Sequence, residues 1–391
     1  MNGLVKAKND SLQTAILFWC GLVIVSSLYV TIPLVSVFSE TFKVTTAQAA
    51  WTGSAFSLFY ALGFLFFGPL SDRFGRKQMI LIGLILLTLI SPVLGIVDHF
   101  ILLVILRSLQ GMAAATFAPA ALAYVVERFP VKKRVTTIGF VSTGFLMAGI
   151  AGQVYSSFVS QQLGWKNVFY ILGAIYLMTS VLVALILHRG ERQDQDQDLL
   201  APVKQMGRVL TKKPLILCYL ITITLLLAFV GMYTTLGNYL DKQFGLTSQH
   251  ILTIRAIGVI GMLFSPMAGR LVARFGIQYV LRGGLTLAVL GLALLGFSST
   301  VWVVGIMSVL FVTGISVTVP TLISWVGQLG GEARGVAVSL YTFILFIGAT
   351  LGPIVAIWFL QTGSYLFTFE MLALVLSIGL FTSFFIRPDH G

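Results

Sequence analysis

This sequence predicts an all-α membrane protein, with twelve transmembrane helices in two pseudo-symmetric six-helix bundles. Three observations lead there. The chain of 391 residues is 57% hydrophobic and only 10% charged, a balance outside the range of soluble domains. Its uncharged runs repeatedly reach or exceed the roughly 20 residues that cross a bilayer. A shift of 201 residues also lays several segments of the first half on the second, the mark of an internal repeat.

The first span is expected over residues 14–38. Residues 11–39 carry no charge, too long a run for the core of a signal peptide, and no small-x-small cleavage site follows. The remaining spans fall near 50–70, 79–97, 100–126, 135–159, 167–187, 215–239, 249–270, 278–297, 301–327, 336–360 and 366–386. The uncharged run 283–331 is too long for one crossing, and Gly296-Phe-Ser-Ser-Thr300 is where it folds in two. The longest polar segment, 188–214, separates an N-terminal bundle (1–187) from a C-terminal bundle (215–391). Within it, 203–211 fits either a short helix on the membrane surface or a solvated linker.

The repeat supports that division. At the 201-residue offset Gly68-Pro-Leu-Ser-Asp-Arg-Phe-Gly meets Gly269-Arg-Leu-Val-Ala-Arg-Phe-Gly276, while Glu40 meets Asp241, Gln48 meets Gln249 and Pro119 meets Pro320. At an offset of 200, Gly152 falls on Gly352 and Arg134 on Arg334.

Basic residues set the orientation. With the N-terminus inside, the inner segments hold 20 Lys and Arg, the outer loops hold 3, and Arg107 and Arg255 lie within spans. The positive-inside rule then places both termini in the cytoplasm. The net charge of +12 is accounted for by contact with anionic inner-leaflet lipid, so no nucleic-acid partner is expected. Cys20 and Cys218 sit in apolar runs as packed, reduced thiols. No metal cluster has the usual ligand spacing.

Between the second and third spans stands Gly68-Pro-Leu-Ser-Asp-Arg-Phe-Gly-Arg-Lys77, read as a polar hairpin. Gly68 and Pro69 are expected to end one helix and Gly75 to allow a tight return, while Arg73, Arg76 and Lys77 hold the turn at the cytoplasmic face. This decapeptide resembles the signature loop of the major facilitator superfamily of secondary transporters. The resemblance implies the major facilitator fold. It also implies a gating role for Asp72, Arg73, Gly75, Arg76 and Lys77, with the carboxylate of Asp72 bridging the bundles and holding an outward-open state. A carboxylate favours a helix N-terminus, here that of span 11 near Gly335. A purely topogenic loop would explain the basic residues but not Asp72.

Ionisable residues at membrane depth are costly and usually face polar cavities. Arg107-Ser-Leu-Gln-Gly111 in span 4 resembles the superfamily's fourth-span motif, whose arginine is linked to proton coupling in many members. Gln110, one turn on, would orient it. Snorkelling of Arg107 to the interface, or pairing with carbonyls for packing, is the competing reading. Arg255 in span 8 either snorkels or joins Arg107 in making a cationic cavity. The acids nearest the membrane are taken to be Glu40, Asp72, Asp98, Asp241, Glu332 and Glu370, all near helix ends or loops. The embedded first-span carboxylate of many cation-exporting relatives is therefore missing, which favours anionic or neutral substrates.

Small residues at four-residue spacing let helices approach closely; Gly149 and Gly152 in span 5, with Gly348, Gly352 and Pro353 in span 11, fit that role. The stretch Ala148-Gly-Ile-Ala-Gly-Gln153 also resembles a degraded form of the superfamily's antiporter motif. Tyr29 and Thr31 in span 1 and Tyr233, Thr234 and Asn238 in span 7 are candidate cavity liners, since aromatic and amide groups suit amphipathic ligands.

The pattern looks most like the drug:proton antiporter branch. The expected activity is therefore secondary active transport, not enzymatic: proton-coupled efflux of small amphipathic compounds by alternating access, powered by the proton-motive force with no cofactor. A carrier for an anionic metabolite that uses Arg107 and Arg255 as binding charges is the alternative, and a non-transporting membrane sensor or scaffold a third reading. The expected setting is a bacterial inner membrane, with a small-molecule substrate and the lipid bilayer as partners and the chain working as a monomer.

Overall fold

The structure, a computed structural model, describes residues 2–188, 207, 209–298 and 300–386. Among the described residues there is no strand, and 12 helical stretches are long and apolar enough to cross a membrane. Most of the expected linker, including much of 203–211, lies outside the described residues.

The first half contains α1 (Asn2–Tyr29), α2 (Val35–Phe42), α3 (Thr46–Ala49), α4 (Trp51–Phe74), α5 (Arg76–Ile96), α6 (Phe100–Ala114), α7 (Phe117–Arg128), α8 (Val131–Leu163) and α9 (Trp165–Ile186). The second contains α10 (Lys213–Phe244), α11 (Ser248–Met262), α12 (Ala268–Phe275), α13 (Ile277–Gly296), α14 (Val301–Gly330), α15 (Arg334–Leu360) and α16 (Tyr365–Ser383).

Three spans are interrupted where the sequence suggested continuous helices. The first ends at Tyr29 and not near residue 38; turns over 30–34 separate it from α2, around Pro33. Span 4 breaks at Ala115 and Thr116 ahead of Pro119. Span 8 breaks between Met262 and Ala268, with a short 3-10 turn at Ser265–Met267 that contains Pro266. Each proline lacks an N–H and crowds the carbonyl one turn back, so the preceding turn loosens. Pro320 and Pro353, by contrast, lie inside helices that continue through them.

The expected polar hairpin is a second correction. The helix does not stop at Gly68 and Pro69 but runs on to Phe74, and Gly75 alone joins it to α5. Gly75 adopts φ 94°, a backbone region that suits glycine and disfavours other residues. Gly276 repeats the device between α12 and α13 at φ 87°.

Contacts divide the chain into two compact units, residues 1–129 with 144–199, and residues 130–143 with 200–391. In the first, α5 lies along α9 and α4 along α6; in the second, α10 lies along α15 and α13 along α14. At one end of the first unit α2 seats Phe38 edge-on against Trp165, 5.3 Å between centroids, within a cluster that includes Val30, Leu34, Leu94 and Phe169. Such aromatic pairs add about 0.5–1.5 kcal/mol beyond the area they bury.

Glycines set the closest helix approaches. A Cβ on Gly144 would lie 2.5 Å from the Phe18 carbonyl, and one on Gly152 would lie 2.6 Å from the Ser26 carbonyl, so α8 touches the backbone of α1. In the second unit Gly348 and Gly352 do the same to α10, at 2.4 Å from the Ile223 carbonyl and 2.7 Å from the Leu227 carbonyl. The contact of Gly152 with Ser26 and that of Gly352 with Leu227 correspond at offsets of 200 and 201 residues, as the sequence repeat has it. Gly149 faces the Tyr29 ring at an ordinary 3.6 Å and is not such a contact.

Candidate functional site

Arg107 is fully buried in the first unit, the largest of the completely covered side chains among the described residues. Its position follows from local sequence. Gly111, one turn on, has no side chain, and a Cβ there would meet the Phe56 carbonyl at 2.3 Å. That lets α6 press onto α4, placing the guanidinium 4.4 Å from the centre of the Phe56 ring. A cation over an aromatic face, away from water, contributes about 2 kcal/mol.

Three acceptors on three helices hold the fork. Nε donates to the Thr52 carbonyl of α4 at 3.1 Å, Nη1 to Oε1 of Gln110 at 2.5 Å, and Nη2 to the Ser27 carbonyl of α1 at 2.9 Å. The Ser27 carbonyl lies in the last turn of α1, where carbonyls lack intrahelical donors and the helix dipole is negative. The break around Pro33 thus creates the acceptor. Gln110 passes the network on, its Nε2 donating to Oγ of Ser91 in α5 at 2.9 Å. Oγ of Ser27 is hydrogen-bonded to the hydroxyl of Tyr176 in α9. No carboxylate among the described residues lies in ion-pair reach of Arg107. The buried arginine does not snorkel; it pairs with carbonyls, as the packing alternative has it, and ties five helices together through polar groups.

A second basic centre lies at the α4–α5 joint. Arg76 is 4% exposed, and its Nη2 reaches Oε1 of Glu127 near the end of α7 at 2.8 Å. Its Nε also faces both Glu127 oxygens, at 3.3 and 3.4 Å, and Nη1 donates to the Gly68 carbonyl at 3.3 Å and to Oγ of Ser71. Lys77 donates to the Ala184 carbonyl at 2.7 Å, and Arg73 lies over the Phe74 ring. The backbone of Asp72 belongs to α4; its side chain lies outside what the structure describes. Sequence reasoning missed Glu127. The available signal was a lone acid at the end of a span whose neighbouring loop is basic.

In the second unit Arg255 of α11 donates from Nη2 to the Tyr233 carbonyl of α10 at 2.8 Å, and its Nε is buried without an acceptor among the described residues. Gly237 makes room, since a Cβ there would meet Nη2 at 2.3 Å. The structure therefore joins Arg255 to Tyr233. Thr234 instead bonds back to the Val230 carbonyl, and Asn238 is exposed, bonded to the Thr234 carbonyl.

Tyr29 is the last residue of α1, and Thr31 sits in the turn beyond it, buried, and not within a span as expected. Glu370 lies near the start of its helix, as expected. It is the sixth residue of α16, and its Oε1 is buried without a donor among the described residues.

Comparison with known proteins gives a consistent picture. The family model described as Major Facilitator Superfamily matches residues 17–353. An uncharacterised transporter of Buchnera aphidicola subsp. Schizaphis graminum (strain Sg) is 27% identical over 360 residues, covering 90% of this chain and 86% of that one. Multidrug resistance protein 2 of Bacillus subtilis (strain 168) is 25% identical over 366 residues, 89% of each chain. Multidrug resistance protein MdtG of Proteus mirabilis (strain HI4320) is 27% identical over 263 residues, 65% of each. Among solved structures, the human organic anion transporter MFSD10 (TETRAN) superposes with a TM-score of 0.77 at 17% identity, over 95% of this chain and 99% of that one. At that identity the likeness speaks for the fold.

Proposed function

The chain belongs to the major facilitator superfamily of transporters, and from that premise we propose that it is a proton-coupled antiporter exporting small amphipathic compounds by alternating access. The observation that carries the reading is Arg107, a permanent cation inside the first unit, balanced by carbonyls and an amide and by no carboxylate among the described residues. A fixed positive charge at membrane depth is expensive, and it disfavours a second cation nearby. It therefore makes occupancy by a proton depend on how the surrounding helices are arranged. Relatives named multidrug resistance proteins, about a quarter identical to this chain, support export of drug-like compounds. In this scheme Arg107 and Gln110 tune coupling, Asp72 with its basic neighbours gates, and the setting is a bacterial inner membrane.

Proteoliposomes loaded with a lipophilic dye test it. Imposing a proton gradient drives dye flux in the wild type, and Arg107→Ala abolishes the gradient-driven part. Equal flux with and without the gradient would overturn the coupling.

One observation favours a second reading, transport of an anionic metabolite. Arg255 is only partly buried, so part of its guanidinium is open to a bound anion. Flux that follows substrate charge, persists without a proton gradient and disappears in Arg255→Gln would favour it over export of amphipathic compounds.

A further inference from the structure

The second unit carries a groove of about 710 Å³ at the end of its spans where Gly276 joins α12 to α13. Its walls are apolar: Phe264, Met267 and Leu271 on one side, Val280 and Leu287 of α13 and Val317 of α14 on the other. Arg274 and Tyr279 line it at the joint, three residues before and two after the helix start, whereas Leu287 lies ten residues along α13, roughly 15 Å deeper. Arg270, one turn before Arg274 on α12, is exposed like it. No acidic residue lines the groove. At its floor is Gly283, where an added Cβ would meet nothing within 4 Å, so the open space reaches the helix backbone.

We propose that this groove is a binding site for one anionic phospholipid, its phosphate group held between Arg270 and Arg274 and an acyl chain lying along Leu271, Val280 and Leu287 over Gly283. The chemistry of the two ends selects the occupant. Arg274 at the mouth and the exposed Arg270 one turn away on α12, with no lining acid to receive an ammonium, favour a net negative headgroup over a zwitterionic one. The apolar depth favours hydrocarbon; a free phosphate ion would occupy the mouth and leave the walls uncovered. The position at the end of two spans puts charge at headgroup level and the apolar walls at the level of the lipid tails. By the distribution of basic residues along the sequence, this mouth belongs to the cytoplasmic leaflet.

The test uses the full chain purified in mild detergent, offered phosphatidylglycerol or phosphatidylcholine with the same acyl chains, with retained lipid counted by native mass spectrometry. The wild type is expected to retain phosphatidylglycerol at least fivefold over phosphatidylcholine. The double variant Arg270→Gln, Arg274→Gln loses the preference while its phosphatidylcholine retention stays the same. Gly283→Leu fills the groove from a position with room for the side chain, and lowers retention of both lipids. Lys213→Gln, an exposed basic residue at the start of α10, leaves the preference unchanged. Equal retention of the two lipids by the wild type would overturn the proposal. So would an undiminished preference in the double variant, or wild-type retention in Gly283→Leu. Should the double variant not fold, Gly283→Leu still decides.

Discussion

Nη2 of Arg107 donates to the carbonyl oxygen of Ser27 across 2.9 Å, so a side chain of α6 closes the open end of α1. With the bonds to Thr52 and Gln110, this makes the guanidinium a three-point junction that needs a planar fork. Lysine offers a compact charge on a flexible stem and cannot serve three diverging acceptors. Arg107→Lys is therefore expected to cut gradient-driven flux at least tenfold and to lower stability by about 1–3 kcal/mol for the acceptors left unpaired. Flux in proteoliposomes and thermal unfolding in detergent check the two effects separately.

The Arg76–Glu127 pair has its arginine buried and its carboxylate partly covered, at 5% and 30% side-chain exposure. Removing one member breaks charge-assisted hydrogen bonds, at a cost of about 1.5–3 kcal/mol. Arg76→Met and Glu127→Met are each expected to be strongly destabilising, and the double variant less so than the sum of the two. A double-mutant cycle on unfolding midpoints measures the difference; simple additivity would show that the pair is not coupled.

Gly144, Gly348 and Gly149 share a residue type but not a role. Alanine at Gly144 or Gly348 would press a methyl to 2.5 or 2.4 Å from a carbonyl oxygen of the neighbouring helix, whereas at Gly149 it meets only the Tyr29 ring at 3.6 Å. The first two substitutions are expected to cost about 1–3 kcal/mol through displaced helices. Gly149→Ala is expected to leave the unfolding midpoint within a degree or so of wild type, by the usual size of uncrowded changes.

Glu370 keeps a buried carboxylate oxygen without a donor among the described residues. An apolar side chain of similar length removes that desolvated group, so Glu370→Met is expected to raise stability by about 1–3 kcal/mol. A raised unfolding midpoint together with lost transport would mark a site where stability is given up for activity.

The sequence shows the crossings plainly, because uncharged runs and clustered basic residues are local signals. Gly75 is legible for the same reason: a return between two helices needs a positive φ, and glycine supplies it. Proline misled in both directions. Gly68-Pro69 reads as a stop but is crossed by α4, while Pro33, Pro119 and Pro266 accompany breaks within spans that hydropathy leaves whole. Whether a proline ends a helix depends on the packing around the freed carbonyl, which no local pattern carries. Partners distant in the chain were also hidden. Glu127 lies 51 residues from Arg76, and Ser27 lies 80 from Arg107. Gln110 was the exception, since it shares a helical face with the arginine it contacts.

Two of the groups that neutralise Arg107 are main-chain oxygens, and this governs what mutagenesis can reveal. An alanine scan will register Arg107 and Gln110 but pass over the contributions of Ser27 and Thr52, because trimming either side chain leaves its peptide oxygen where it was. Two of the three acceptors of this centre are set by chain trajectory and not by residue identity. Replacing Pro33, or swapping an amide for an ester by chemical synthesis, would reach a contribution that side-chain scanning cannot.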